Sequence, residues 1–205
     1  MAQTVFSFLV LSLMFFGFWE TVESRSAARV YLEAQCRTAI YRDLCVETLL
    51  PYVGKTVPGP QQLARISLAV CLSKARKTKE YVDIVAKQLN QTKNFGDSQA
   101  LEECARQMNN GVNQITLSVK EFQLLGKDAE ENFPFHEDNM QNWISAALTN
   151  VDMCIDGILG DMIRGKDKAI IKAKILNVKQ LASNSLALLN RYTLRHRASQ
   201  IVKNP

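Results

Sequence analysis

"WISAALTNVDMCIDG" (Trp143–Gly157) sets Ile144, Ala147, Val151 and Cys154 at alternating steps of three and four. Side chains at that spacing share one face of an α-helix, and a stripe averaging 3.5 residues is the seam of helices that cross at about 20°. The seam extends outward to Met140 and Ile158, which predicts a helix over about 137–163. Roughly opposite the seam, Thr149, Asp152 and Asp156 repeat the same steps and predict one exposed polar stripe.

Three other segments carry the same period. Leu68, Cys71, Ala75, Thr78, Val82, Val85 and Leu89 mark a helix over about 60–90. Leu101, Cys104, Met108, Gly111, Ile115, Ser118 and Phe122 mark one over about 98–125, with Asp97 or Ser98 as its expected N-cap. Ile171, Ile175, Val178, Ala182, Ser185, Leu189 and Tyr192 mark the last, over about 166–195. The breakers Gly96, Gly126, Pro134, Gly160 and Gly165 keep the connections short, and short connections force neighbouring helices antiparallel. The expected fold is all-α, an up-down-up-down four-helix bundle. Residues 29–57 form an N-terminal helical hairpin, with Pro51, Gly54, Pro58, Gly59 and Pro60 breaking the chain after it; the bundle follows over 58–197, and 198–205 form a C-terminal tail.

The chain opens on an apolar run, Val5 to Trp19, too short to span a bilayer comfortably and without a polar face for a globular core. Small residues follow it, so 1–24 reads as a secretory signal peptide cleaved between 24 and 28, although no Lys or Arg precedes the run. Removal of residues 1–24 takes away Glu20 and Glu23 and raises the formal net charge from +5 to +7. Outside the cell a moderately basic surface favours polyanions or acidic proteins. The Lys and Arg residues are spread along the helices without interleaved aromatics, so no nucleic-acid partner is expected, and no membrane association after cleavage.

An exported chain meets an oxidising compartment where disulfides persist. All five cysteines, Cys36, Cys45, Cys71, Cys104 and Cys154, lie in the mature region, and an odd count leaves at least one unpaired within the chain. A Cys36–Cys45 bridge would close a short loop and contribute about 2.7 kcal/mol on the loop-entropy scale. Cys104 and Cys154 occupy matching seams, where a bridge would contribute about 4 kcal/mol, but Cys71 also sits on a seam and periodicity does not choose the pair. Asn90-Gln91-Thr92 is an N-glycosylation triplet, so Asn90 is a candidate glycan site.

Catalytic signatures are missing. There is no G-x-S-x-G elbow, H-E-x-x-H, P-loop, G-x-G-x-x-G or C-x-x-C pair, and His136 and His196 are the only imidazoles. His136 is expected in an acidic loop. Glu130, Glu131, Glu137 and Asp138 fall around a helix start, where acids suit the dipole. No metal, cofactor or enzymatic activity is expected.

Three stretches carry a resemblance: "CRTAIYRDLC" with Tyr41, Asp43 and Leu44, "ALEECARQM", and "WISAALTNVDMCIDG" followed by "NSLALLN". In order and spacing the mature chain resembles the plant invertase and pectin methylesterase inhibitor family. Arg42 stands where proline is common. The resemblance implies bridges Cys36–Cys45 and Cys104–Cys154 with Cys71 free, and a bundle with an extended N-terminal hairpin. It implies a secreted protein of the apoplast or cell wall that covers the substrate cleft of pectin methylesterase, with acid invertase as the alternative target. A third possibility is a non-inhibitory module like the pro-region of many pectin methylesterases. Such a pro-region precedes a catalytic domain and this chain stops at Pro205, which favours the free inhibitor. "ENFPFHEDN" lacks the Pro-Lys-Phe triplet frequent in the invertase branch and so favours the pectin branch. In that branch a threonine and an acid matching Thr149 and Asp152 touch the enzyme, and Asp156 continues their stripe. After the third family cysteine the branch often carries acids and an aromatic, where this chain has Arg106, Met108, Asn109 and Asn110. Arg106, Asn109 and Asn110 are therefore candidate partner contacts at which affinity or target choice departs from the family.

Overall fold

A computed structural model of the chain describes residues 27–54, 57–92, 95–125, 127, 129–159 and 166–203. The signal-peptide reading, the breakers Gly126, Gly160 and Gly165, and Pro205 lie outside the described residues. Helix α1 covers 27–35, followed by a 3-10 turn at Cys36–Thr38, α2 at Arg42–Leu49 and a second turn at Leu50–Tyr52. The long helices are α3 (Pro60–Gln91), α4 (Phe95–Leu124), α5 (Phe133–Leu159) and α6 (Lys166–Lys203).

Local chemistry sets both ends of α3. Pro60 takes the first position of α3, where its missing N–H has no intrahelical partner to lose, and Leu63 N donates to Gly59 O at 3.0 Å. Past the end of α3, Thr92 returns two bonds to the helix, its N–H to Gln88 O and its hydroxyl to Leu89 O. Helix α4 begins before the expected cap: Gly96, Asp97 and Ser98 all lie inside its first turn. Ser98 does not cap, because its hydroxyl lies 3.1 Å from Ala86 O on α3 and 3.1 Å from Glu102 Oε1. Pro134 likewise falls in the first turn of α5 rather than before it, at a position that tolerates proline. His136 is consequently helical and buried, not in a loop. Helix α6 runs past residue 197 to Lys203, since no Gly or Pro interrupts it, so most of the expected tail is helix.

The four seams meet. Every seam residue read from the sequence is buried except Leu89 and Tyr192, which are half-buried. Helix α3 packs on α4 and α6, and α5 packs on the same two, which closes a four-membered ring. Cys104 is bonded to Cys154, Gly111 faces Ala147 and Ser118 Oγ donates to Met140 O at 3.3 Å, so progress along α4 is matched by retreat along α5. Ser67 faces Ser185 while Tyr81 faces Lys174, which makes α3 and α6 antiparallel in the same way. Ser185 Oγ donates to Leu181 O and accepts from Ser67, so this polar pair is satisfied within the core.

The hairpin differs from the extended arrangement that the resemblance implies: it lies folded on its own bundle. Leu32, Cys36, Cys45, Val46 and Leu49 are buried in the main core cluster. Tyr41 N donates to Asn184 Oδ1 at 3.2 Å and Asn184 Nδ2 donates to Tyr41 O at 2.9 Å, fastening the hairpin to α6. The Cys36–Cys45 bridge closes it. The physical reason for docking is area, because two short helices have too little apolar surface to be stable apart from a larger core.

Candidate functional site

Helix α5 is held from two sides. The Cys104–Cys154 bridge joins it to α4, and Asp152 Oδ1 meets Lys179 Nζ of α6 at 2.7 Å. Between these restraints its outward surface presents Thr149 and Asp156, both exposed. Thr149 Oγ1 donates to Ser145 O at 3.2 Å, a bond that leaves its oxygen free to accept. Asp152 is only half exposed and turns toward α6 instead of pointing straight outward. Its hydrogen bond, followed by the charges of Asp152 and of nearby Tyr41 and Asp156, holds the Lys179 ammonium above its ordinary range against a smaller opposing effect of burial.

Met153 completes this surface and is not among the sequence-selected residues. It lies 54% exposed between Thr149 and Asp156 on the same helix. The signal for it was present, since an apolar side chain that falls off the seam period on a polar face has no core to enter. Lys179 had no such signal, because its pairing with Asp152 depends on which helix lies beside α5.

The second candidate group faces elsewhere. Arg106, Asn109 and Asn110 are exposed on α4, and Arg106 is bonded to Glu103 one turn back. Hydrogen bonds from Gln107 first and Arg106 second hold the Glu103 carboxyl below its ordinary range. Arg106 and Asn109 share a shallow groove of about 510 Å³ with Lys79, Asp83 and Lys87 of α3. The α3–α4 groove and the α5–α6 face lie on different sides of the ring, so the structure does not bring Arg106 and Asn109 together with Asp152.

Both histidines and the buried acids Glu121 and Glu137 have structural partners. His136 Nδ1 lies 2.7 Å from Glu121 Oε1, both buried between α4 and α5, and Asn139 Nδ2 donates to the same oxygen at 3.0 Å. Glu137 is buried as well, beyond the first turn of α5, and pairs with Arg197 at 3.4 Å. His196 stacks on Phe133 and bonds Glu130. Cys71 is free and buried, and burial pushes its thiol up to about 12, far from a reactive thiolate. Among the described residues no group of three His, Cys, Asp or Glu could hold a metal ion, and no helix is long and apolar enough to cross a membrane. Asn90 is exposed on the last turn of α3.

Residues 30–188 match the family described as plant invertase/pectin methylesterase inhibitor. The chain is 30% identical to pectinesterase inhibitor 11 of Arabidopsis thaliana, over 96% of this chain and 100% of the relative. It is 32% identical to pectinesterase inhibitor 9 of the same plant, over 93% and 94%. Its fold is similar to that in the crystal structure of a mutant form of a pectin methylesterase inhibitor from Arabidopsis, with a TM-score of 0.61 over 78% of this chain and 95% of the other. At 14% identity that likeness concerns the fold alone.

Proposed function

From a chain that belongs to the plant invertase/pectin methylesterase inhibitor family, we propose an inhibitor of pectin methylesterase, not an enzyme, that acts by docking. The observation that carries this reading is the match along nearly the whole chain to relatives named as pectinesterase inhibitors. The outward surface of α5, with Thr149, Met153 and Asp156 exposed and Asp152 at its α6 edge, covers the substrate cleft of the esterase in a one-to-one complex. A rigid helix suits that task, because side chains already held in place lose less entropy on binding. Met153 supplies an apolar centre and the polar residues around it supply hydrogen bonds, the arrangement common in interface hot spots. Covering the cleft restrains hydrolysis of pectin methyl esters and so limits the negative charge of the polymer.

The reading places the mature protein outside the cell, with 1–24 removed and Asn90 available to carry a glycan. Arg106, Asn109 and Asn110 on α4 modulate which esterase is bound. The test is inhibition of purified plant pectin methylesterase and acid invertase, in parallel, by the oxidised mature protein at the mildly acidic pH of the wall. Inhibition of the esterase alone supports the proposal. Inhibition of invertase alone moves the target to the other branch, and inhibition of neither leaves a non-inhibitory bundle module.

A further inference from the structure

Several cations of this surface are paired: Arg29 with Glu47, Lys79 with Asp83, Arg106 with Glu103, Lys179 with Asp152 and Arg197 with Glu137. Three arginines on one side of the molecule are not. Helix α6 carries Arg191 and Arg195 one turn apart, and the 3-10 turn packed on α6 carries Arg37 next to Thr38, which lines the same groove as those two arginines. Among the described residues none of the three has an ion-pair partner; Arg191 Nε donates to the neutral Gln35 Oε1 at 3.2 Å.

The arginines are close enough to repel one another. Burial, then Arg195 and Arg37, hold the Arg191 guanidinium below its ordinary range, with Tyr31 acting weakly the other way. Burial raises the Tyr31 hydroxyl above its ordinary range, with Arg195 and then Arg191 acting the other way. Beside the arginines is a groove of about 350 Å³ lined by Thr38, Ala187, Asn190, Arg191, Leu194 and Arg195. Asn190 Oδ1 is buried there without a hydrogen-bond partner. Like charges gathered without counter-ions disfavour the folded state, and a bound anion relieves that repulsion. Guanidinium forks match carboxylates two bonds at a time, and the small apolar floor of Ala187 and Leu194 suits the face of a sugar ring.

We propose that Arg37, Arg191 and Arg195 form a binding groove for a carboxylate-bearing acidic polysaccharide. Asn190 accepts from a ring hydroxyl once its amide turns outward. The anion site stands on the arginine geometry; the choice of a polyuronate as its occupant rests on the proposed pectin-directed function. The groove lies between the hairpin and α6, and its residues are separate from Thr149, Asp152, Met153 and Asp156. The protein can therefore be retained on de-esterified polymer while α5 remains available to an enzyme.

The test compares binding of the oxidised mature protein to sodium polygalacturonate, to highly methyl-esterified pectin, to heparin and to inorganic phosphate, at low and moderate salt. The variants are R37Q/R191Q/R195Q, the double R37Q/R195Q that retains the Arg191–Gln35 bond, and K74Q/R76Q/K77Q as a control that removes equal charge from exposed positions on α3. Melting of each variant establishes that it is folded. Polygalacturonate affinity is expected to fall at least about tenfold in the groove triple, several-fold in the double and less than about twofold in the control, with esterified pectin bound weakly throughout. Equal losses in the control and the groove triple would show that binding follows net charge and overturn the site. Equal wild-type affinity for esterified pectin, or displacement of polygalacturonate by phosphate or heparin at comparable charge concentration, would overturn the carboxylate-polymer assignment. Esterase inhibition measured on the same samples separates the two readings: wild-type protein that binds through the groove without inhibiting removes the proposed function and keeps the site, and the converse removes the site alone.

Discussion

Asp152 on α5 and Lys179 on α6 are joined at 2.7 Å, so an acid read from the sequence as part of a free polar stripe also ties two helices of the bundle together. Both side chains are more than a third exposed, at 43% and 36%, and the pair contributes little to stability, about 0–1 kcal/mol. Asp152→Ala is expected to leave the melting temperature nearly unchanged and to weaken esterase inhibition. If Lys179→Met weakens inhibition equally, the salt bridge acts by positioning Asp152; if it strengthens inhibition, releasing Asp152 toward the enzyme is the larger effect.

Thr149 and Met153 give a cleaner separation of binding from folding. Thr149→Ala removes a hydroxyl bonded back to Ser145 O and replaces a weaker helix former with a stronger one, so stability is expected to hold or rise by a few tenths of a kcal/mol. Met153→Ala removes an exposed side chain and is expected to be neutral for folding. Each should raise the inhibition constant by about 1–2 kcal/mol, five- to thirty-fold. Inhibition unchanged in both variants would move the contact away from this face of α5.

Gly111 faces α5 at a distance that a methyl group would fill. A Cβ there would stand 3.6 Å from Ala147 O and 3.8 Å from Val151 Cγ2, ordinary contact distances. Gly111→Ala is therefore expected to stabilise the protein by about 0.5–1 kcal/mol through helix propensity, read as a higher urea midpoint. A lower midpoint would show that α4 and α5 approach more closely than these distances.

The two bridges close loops of different length, nine and 50 residues apart in sequence. Replacing Cys104 and Cys154 together by Ala is expected to cost about 4 kcal/mol, against about 2.7 kcal/mol for Cys36 with Cys45. Denaturant unfolding of the two double variants checks the order.

Cys71 predicts an alkaline effect with a definite sign. Burial alone raises its thiol from 9.0 to about 12, so the unfolded chain releases the proton first. Its contribution is fully present below pH 9, is lost as the pH rises toward 12, and falls by up to about 1.4 kcal/mol per pH unit in that window. Wild type and Cys71→Ala compared at pH 8 and pH 10 isolate this loss from other titrations. In the native state at pH 8 the thiol should resist a thiol reagent until the protein unfolds.

Glu121 accepts from Asn139 and meets His136 inside the α4–α5 interface. Glu121→Gln keeps an acceptor and is expected to cost little, whereas Glu121→Leu withdraws it from both groups and should cost about 1–3 kcal/mol. Equal urea midpoints for the two variants would mean that this buried cluster is not held by its hydrogen bonds.

The sequence by itself determined the four long helices and their inward faces, from Leu68 on α3 to Leu189 on α6, because burial in a bundle recurs with the turn of the helix and nearby residues alone reveal it. It also marked Thr149 and Asp156 as outward, by the same periodicity. Helix ends were less legible: Ser98 has the chemistry of a cap but bonds Ala86 on another helix, and Pro134 looks like a breaker yet suits a first turn. Only the tertiary structure decided which surfaces lie side by side. It set Lys179 against Asp152, folded Tyr41 onto Asn184 and gathered Arg37 with Arg191 and Arg195. These residues are far apart along the chain, and no local preference encodes a meeting that depends on how whole helices dock to bury their seams.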